Sequence, residues 1–144
     1  MQNDSLNRFL EAQNSRRFGG SYATALAEIR KGRKITHWIW YVFPQLKGLG
    51  QSWNSDYYGL DSLAEAASYL AHPILGSRLR EITLALLEHS GKKPKDILGG
   101  IDATKVCSSM TLFDKVCPGD IFARVLDEFY DGCRCNRTLR MISA

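Results

Sequence analysis

Along most of this chain the apolar residues return every three or four positions, the spacing of one face of a helix, and almost nowhere every second position as in a half-buried strand. Leu6, Phe9, Leu10 and Gln13 lie at helical spacing behind Asp4 or Ser5 as a cap, and Gly19-Gly20 closes that segment. Ser21 then caps a second helix with Tyr22, Ala25, Leu26 and Ile29 on one face. Arg30 and Lys31 fall in its last turn, where their charge complements the helix dipole, and Gly32 is placed to close it in a left-handed conformation. Asp61 or Ser62 opens a helix through Leu63, Ala66, Ala67 and Leu70, broken at His72-Pro73. Leu75, Leu79, Ile82, Leu86 and Leu87 make the strongest apolar stripe, with Pro73 suited to its first turn and Gly91 at its end. This helix is expected at the centre of the core. Residues 95–98 form a single turn, and IDATKVCSSMTLFDKV reads as a helix that stops at Cys117-Pro118-Gly119. A further helix from about Asp120 turns Ile121, Phe122, Val125, Leu126 and Phe129 inward and ends at Gly132, and 138–142 add a last turn.

No internal repeat or convincing run of strands interrupts this pattern. The expectation is an all-α fold: one domain over 1–144, a compact bundle of six to eight helices, and a short C-terminal tail at 132–144. The stretch KGLGQSWNSDYYG, rich in Gly, Ser and Asn, reads as one long surface loop.

Two segments break the pattern, and local inconsistency is where function most often sits. The first is THWIWYVFPQ, residues 36–45, which concentrates two tryptophans, a tyrosine, a phenylalanine and a histidine ahead of a proline. As a strand it places Trp38, Trp40 and Val42 on one face; as a helix it sets His37 beside Trp40 and Tyr41. Thr36 is a suitable N-cap and Pro44 restricts only Phe43, which favours one or two helical turns. Histidine beside indole and phenol rings suits acid-base or ligand contact, the plainer alternative being a buried, backbone-bonded imidazole in a core plug. Trp38, Ile39 and Val42 are expected to pack, while His37, Trp40 and Gln45 are expected to make contact, with Trp38 kept as a second candidate stacking surface. Gln45 can present a donor and an acceptor to a ligand, and Gly48, Gly50 and Ser52 could bring backbone N–H groups to a phosphate.

The second segment is the helix beginning near Ile101. On a helical wheel Ile101, Lys105, Ser108, Ser109, Leu112, Phe113 and Val116 share one side, so a lysine and two serines interrupt an apolar stripe. A buried lysine must pair with Asp102, reach solvent, or face a polar pocket; the serines, if only structural, bond back to helical carbonyls. Asp102, Lys105 and His37 are the candidate catalytic groups, and Ser108, Ser109 and Thr111 join the candidate ligand-binding set.

Composition narrows the alternatives. A chain of 144 residues with 44% hydrophobic and 24% charged residues has enough to bury a sizeable core. Its net charge of +4 sits in clusters such as Arg30-Lys31 with Arg33-Lys34, short of the basicity of a dedicated nucleic-acid binder. The polar N-terminal segment lacks a signal-peptide core, and the longest apolar run is only residues 38–44, so a cytoplasmic, non-membrane monomer is expected. Four cysteines then read as reduced thiols, with Cys133-Arg134-Cys135 an incidental pair. No zinc motif, P-loop or Ser-His-Asp order is present, and no metal or cofactor is called for.

GRKITHWIWYVFPQLKGLGQS, YYGLDSLAEAASYLAHPILGSRL and DATKVCSSMTLF together resemble the bacterial family catalogued as domain of unknown function 1810, whose members are sometimes mis-titled calpastatin. The resemblance runs over about residues 5–131 and rests on the His-Trp-x-Trp…Phe-Pro-Gln and Lys-x-x-Ser-Ser-x-Thr-Leu-Phe motifs. It implies a small helical protein and no established reaction; the segment from Gly132 departs from it. A more distant similarity, to helical families that bind or hydrolyse ADP-ribose conjugates, is fold-level analogy only. The functional expectation is a pocket for a nucleotide or ADP-ribose-like ligand between the aromatic segment and the Asp102 helix, with N-glycosidic hydrolysis as its enzymatic form. The alternative is a non-catalytic interaction module presenting Trp53 and Tyr57-Tyr58.

Overall fold

The computed structural model describes residues 4–15 and 20–143; Gly19, expected to end the first helix, and the side chain of Asp4, an expected cap, lie outside them. After a 3-10 turn at Asp4–Leu6 come α1 (Asn7–Asn14), α2 (Tyr22–Lys31), α3 (Ile39–Val42), α4 (Trp53–Tyr57) and α5 (Leu63–Ala71). The second half contributes α6 (Leu75–Leu87), α7 (Pro94–Leu98), α8 (Gly100–Val116), α9 (Ile121–Phe129) and α10 (Asn136–Ser143). The all-α class is as expected, but ten α-helices among the described residues exceed the six to eight foreseen.

The expected caps account for the long elements. Ser21 accepts the Thr24 N–H at the start of α2, and Gly32 closes that helix at φ 84°. Ser62 accepts the Glu65 N–H at the start of α5. Between α5 and α6, His72 turns its ring back on the chain, and Nδ1 accepts the N–H of Ile74 at 3.1 Å and of Leu75 at 3.2 Å. The helices meet tightly there: a Cβ on Gly76 would lie 2.0 Å from the Leu70 carbonyl oxygen.

The extra helices are short and lie where composition suggested none. Ser52 accepts the Ser55 N–H at 3.1 Å, so the polar loop residues supply a helix cap and α4 forms inside the expected loop. Arg8 secures that segment by donating to the Tyr57 and Gly59 carbonyls at 2.8 and 3.0 Å while its charge meets Glu65 at 3.5 Å. An isolated parallel bridge between Leu46 and Leu60 closes the excursion at its base.

One contiguous apolar core holds the bundle together. α8 lies against α5, α7, α9 and α10, and α6 against α2, α5 and α9. The α6 stripe is buried as expected at Leu75, Leu79, Ile82, Leu86 and Leu87. Ile101 is a correction: expected on the buried side of α8, it is 76% exposed, while Ala103 in the same turn is buried, so the first turn of α8 packs by a different face. No helix among the described residues is long and apolar enough to cross a membrane. The C-terminal segment continues into α10, whose Thr138 is buried and whose Arg137 donates toward the Gly48 and Leu49 carbonyls at 3.3 and 3.4 Å.

Candidate functional site

The conformation of residues 34–43 is set by a carboxylate on α2. Glu28 sits one turn from Ala25 and beside Ile29 on the buried face, and its Oε1 accepts from Ile35 N, Thr36 N and Trp38 Nε1 at 2.8, 3.0 and 2.9 Å. Its Oε2 accepts from the Thr36 hydroxyl at 2.7 Å. Burial pushes the Glu28 carboxyl up, but these bonds to its charged form outweigh burial and hold it below the ordinary glutamate value. Thr36 is therefore a ligand of Glu28 and does not cap a helix; the single helical turn starts after Trp38. Trp38 is drawn fully into the core. Gly20 passes so close that a Cβ there would lie 2.8 Å from Thr36 Oγ1 and 3.1 Å from the Trp38 ring. The Tyr41 hydroxyl completes the anchor by donating to the Gly20 carbonyl at 2.7 Å.

With Trp38 and Tyr41 held inside, His37 is left exposed and Trp40 half-buried. These two residues face a cavity of about 430 Å³ over the N-terminus of α8, lined also by Lys34, Gly99, Asp102 and Lys105. His37, Trp40, Asp102 and Lys105, picked out from separate segments of the sequence, thus share one cavity. Asp102 does not pair with Lys105. The Lys34 ammonium takes its Oδ2 at 2.7 Å, in an ion pair whose side chains are only 5% and 19% exposed. The same ammonium donates to the Thr36 carbonyl and lies 4.9 Å from the Trp38 ring centre. Lys105 instead lies 5.1 Å from the Trp40 ring centre, a cation–π geometry, and has no carboxylate partner among the described residues. The charge left over in the cavity is therefore positive. It adds to the unpaired N–H groups that the first turn of a helix always presents, here Gly100 to Asp102 behind a Gly99 cap with no side chain.

His37 and Trp40 also line a second cavity of about 500 Å³ on the other side of the α3 turn, with Tyr41, Trp53, Tyr57 and Tyr58 among its walls. Trp53 stacks on Tyr57 at 4.7 Å and 11°, and Tyr57 meets Tyr58 edge-on at 4.8 Å. Lys105 reaches a third space of about 330 Å³ shared with Gln45, Gly50 and Ser108.

Other candidates are placed elsewhere. Trp38 has no free face and its indole N–H is spent on Glu28, so it belongs to packing. Ser109 and Thr111 are buried within α8, Thr111 donating to the Cys107 carbonyl at 2.8 Å. Ser52 caps α4, and Gly50 packs where a Cβ would lie 2.2 Å from Ser55 Oγ. Gly48 lies beside Arg137, Arg140 and Met141, outside the cavity that His37, Trp40, Asp102 and Lys105 line. Sequence reasoning missed Glu28 and Lys34. The first was signalled by an acidic residue in register with Ala25 and Ile29; the second was hidden in a basic run that reads as solvated.

Among the described residues no group of three His, Cys, Asp or Glu side chains could hold a metal ion. The model of the family described as "Protein of unknown function (DUF1810)" matches residues 3–142. A similar solved structure is the 1.38 Å crystal structure of the conserved hypothetical protein Rv1873 from Mycobacterium tuberculosis. It is 40% identical, the match covers 97% of each chain, and the TM-score is 0.91. No curated protein matches the chain.

Proposed function

The chain belongs to the DUF1810 family, and from the geometry of its site we propose that it binds a nucleotide or ADP-ribose-like ligand across the two cavities that meet at His37 and Trp40. The observation that carries this reading is the joint lining of one cavity by His37, Trp40, Asp102 and Lys105, with Lys105 unpaired by any described carboxylate. A phosphate has a cation and a helix N-terminus on that side. A base has aromatic faces at Trp40, Trp53 and Tyr57 on the other. Each volume falls within the range of roughly 300–1,000 Å³ usual for small-molecule sites.

The groups present also suit hydrolysis of an N-glycosidic bond. Asp102 has one oxygen already held by Lys34. That favours its use as a fixed negative charge beside a developing oxocarbenium ion over its use as a proton acceptor. Thermal shift and calorimetric titration with AMP, ADP-ribose and NAD test binding, and release of nicotinamide from NAD tests hydrolysis. ADP-ribose is expected to raise the melting temperature of the wild type and to do so far less for Lys105→Met. No shift with any of the three ligands would remove the reading.

A second reading has its own observation. Trp53 is 70% exposed and Tyr57 43% exposed in their stacked pair, an arrangement suited to contact with another protein. A partner captured by the wild type and lost by a folded Trp53→Ala variant would favour this non-catalytic role.

A further inference from the structure

Cys107, Cys133 and Cys135 lie together between the middle of α8 and the start of α10, and one of them is placed as thiol chemistry requires. The Leu139 N–H donates to the Cys135 carbonyl at 3.1 Å, so Cys135 occupies the N-cap of α10 and Thr138 the third helical position. A sulfur at an N-cap faces the unpaired first-turn amides and the positive end of the helix. Ser108 Oγ stands 3.3 Å from the Cys135 sulfur, and Thr111 Oγ1 accepts the Cys135 N–H at 3.0 Å, so α8 fixes the residue from the other side. Thr138 is fully buried, and its hydroxyl, with no hydrogen bond of regular geometry among the described residues, is within reach of the Cys135 sulfur. Burial raises the Cys135 thiol, but the hydrogen bonds available from Ser108, Thr138 and the Arg137 amide bring it below the ordinary thiol value. Cys107, by contrast, is raised by burial and by the neighbouring sulfurs.

Cys135 opens on the cavity of about 330 Å³ that also holds Lys105, Arg137 and Gln45. Two cations at its rim favour a co-reactant that carries carboxylates. We propose that Cys135 is a reversible modification site, at which its sulfur exchanges with a small anionic disulfide to form a mixed disulfide. In the step, the Cys135 sulfur, its proton passed to solvent, supplies an electron pair to one sulfur of the disulfide. The Cys135–S bond forms as the original S–S bond breaks, and the second half leaves as a thiolate; a thiol reductant reverses the exchange. The exchange at Cys135 needs no nucleotide in the His37 cavity, although Lys105 lines both spaces.

Glutathione disulfide is the probe, and peptide mapping by mass spectrometry at about pH 7 follows each cysteine. Cys135 is expected to take the first glutathionyl group roughly tenfold ahead of Cys107, Cys117 and Cys133. Cys135→Ser should abolish the fast phase. Thr138→Val should slow it and Thr138→Ser restore it. Replacing Lys105 and Arg137 by Met should slow reaction with glutathione disulfide while leaving reaction with the cationic disulfide cystamine unslowed. If the more exposed Cys133 reacts first, or the four cysteines react alike, the site is wrong. If both disulfides slow equally in the charge variant, anion recognition is wrong.

Discussion

Replacing Glu28 tests the part of the structure on which the whole His37–Trp40 region depends. In Glu28→Ala, Trp38 Nε1 loses its acceptor deep in the core, which costs about 1–3 kcal/mol. The Ile35 and Thr36 amides are only partly buried, so water can replace much of what they lose, at about 0.5 kcal/mol each. The sum, about 2–4 kcal/mol, is a large part of a stability of roughly 5–15 kcal/mol. For a chain of this size it lowers Tm by roughly 5–15 °C. Glu28→Gln is the discriminating control. All three N–H donors converge on Oε1, which an amide oxygen can replace, and the Thr36 hydroxyl on Oε2 can reverse its role and accept from the amide nitrogen. Glutamine should therefore cost only about 1 kcal/mol, the difference between charged and neutral acceptors. The pH dependence has a definite sign. Because the folded-state value is depressed below the ordinary 4.5, Glu28 contributes stability that is fully present above that pH and lost as pH falls through the folded value. Glu65 is depressed too and titrates in the wild type and in the glutamine variant alike, so their difference isolates Glu28. Chemical denaturation followed by tryptophan fluorescence should show the two proteins converging as the pH is lowered below 4.5. A glutamine variant as unstable as the alanine one, or stability curves that stay parallel in acid, would refute the assignment.

Three other perturbations bear on the same framework. Gly76→Ala gains about 1 kcal/mol of helix propensity but drives a Cβ to 2.0 Å from the Leu70 carbonyl oxygen; the backbone clash should win, with a net loss of about 1–3 kcal/mol in denaturant unfolding. Trp53→Ala removes an exposed ring stacked only on Tyr57, so Tm should fall by no more than the equivalent of about 1 kcal/mol, and a larger fall would show that α4 is part of the core. Lys34→Met should destabilise more than the double variant with Asp102→Asn, since the single change leaves a partly buried carboxylate unpaired; a double-mutant cycle by urea unfolding reads the coupling directly.

The long helices were legible because their evidence is local. Ser21, Gly32 and Ser62 act at the ends their neighbours required, and the Leu75–Leu87 stripe faces inward because residues three and four apart necessarily share a helix face. The short helices were not legible. Four or five residues at Ile39–Val42 and Trp53–Tyr57 cannot hold a helix unaided, since isolated helices shorter than about 12–15 residues are marginal in water. They form here because distant groups hold their ends. Arg8 fixes the end of one from far away in sequence, and Glu28 fixes the approach to the other.

The same distinction separates what could and could not be read of the site. His37, Trp40, Asp102 and Lys105 were visible as residues out of keeping with their surroundings, but their convergence depends on how α3 sits over α8. Whether Trp38 or His37 faced the cavity could not be decided by periodicity, because both precede the single turn Ile39–Val42 and neither belongs to a repeating helix face. Glu28 decides it by accepting the indole N–H of Trp38 and drawing that ring inward. Lys34 likewise turns Asp102 away from the adjacent Lys105 and so leaves that lysine's charge in the cavity. Two residues outside the aromatic and serine motifs therefore determine which members of those motifs are available for contact. A substitution at Glu28 should change which side chains of the aromatic segment face the cavity, and one at Lys34, itself on the cavity wall, should change how Asp102 is paired there.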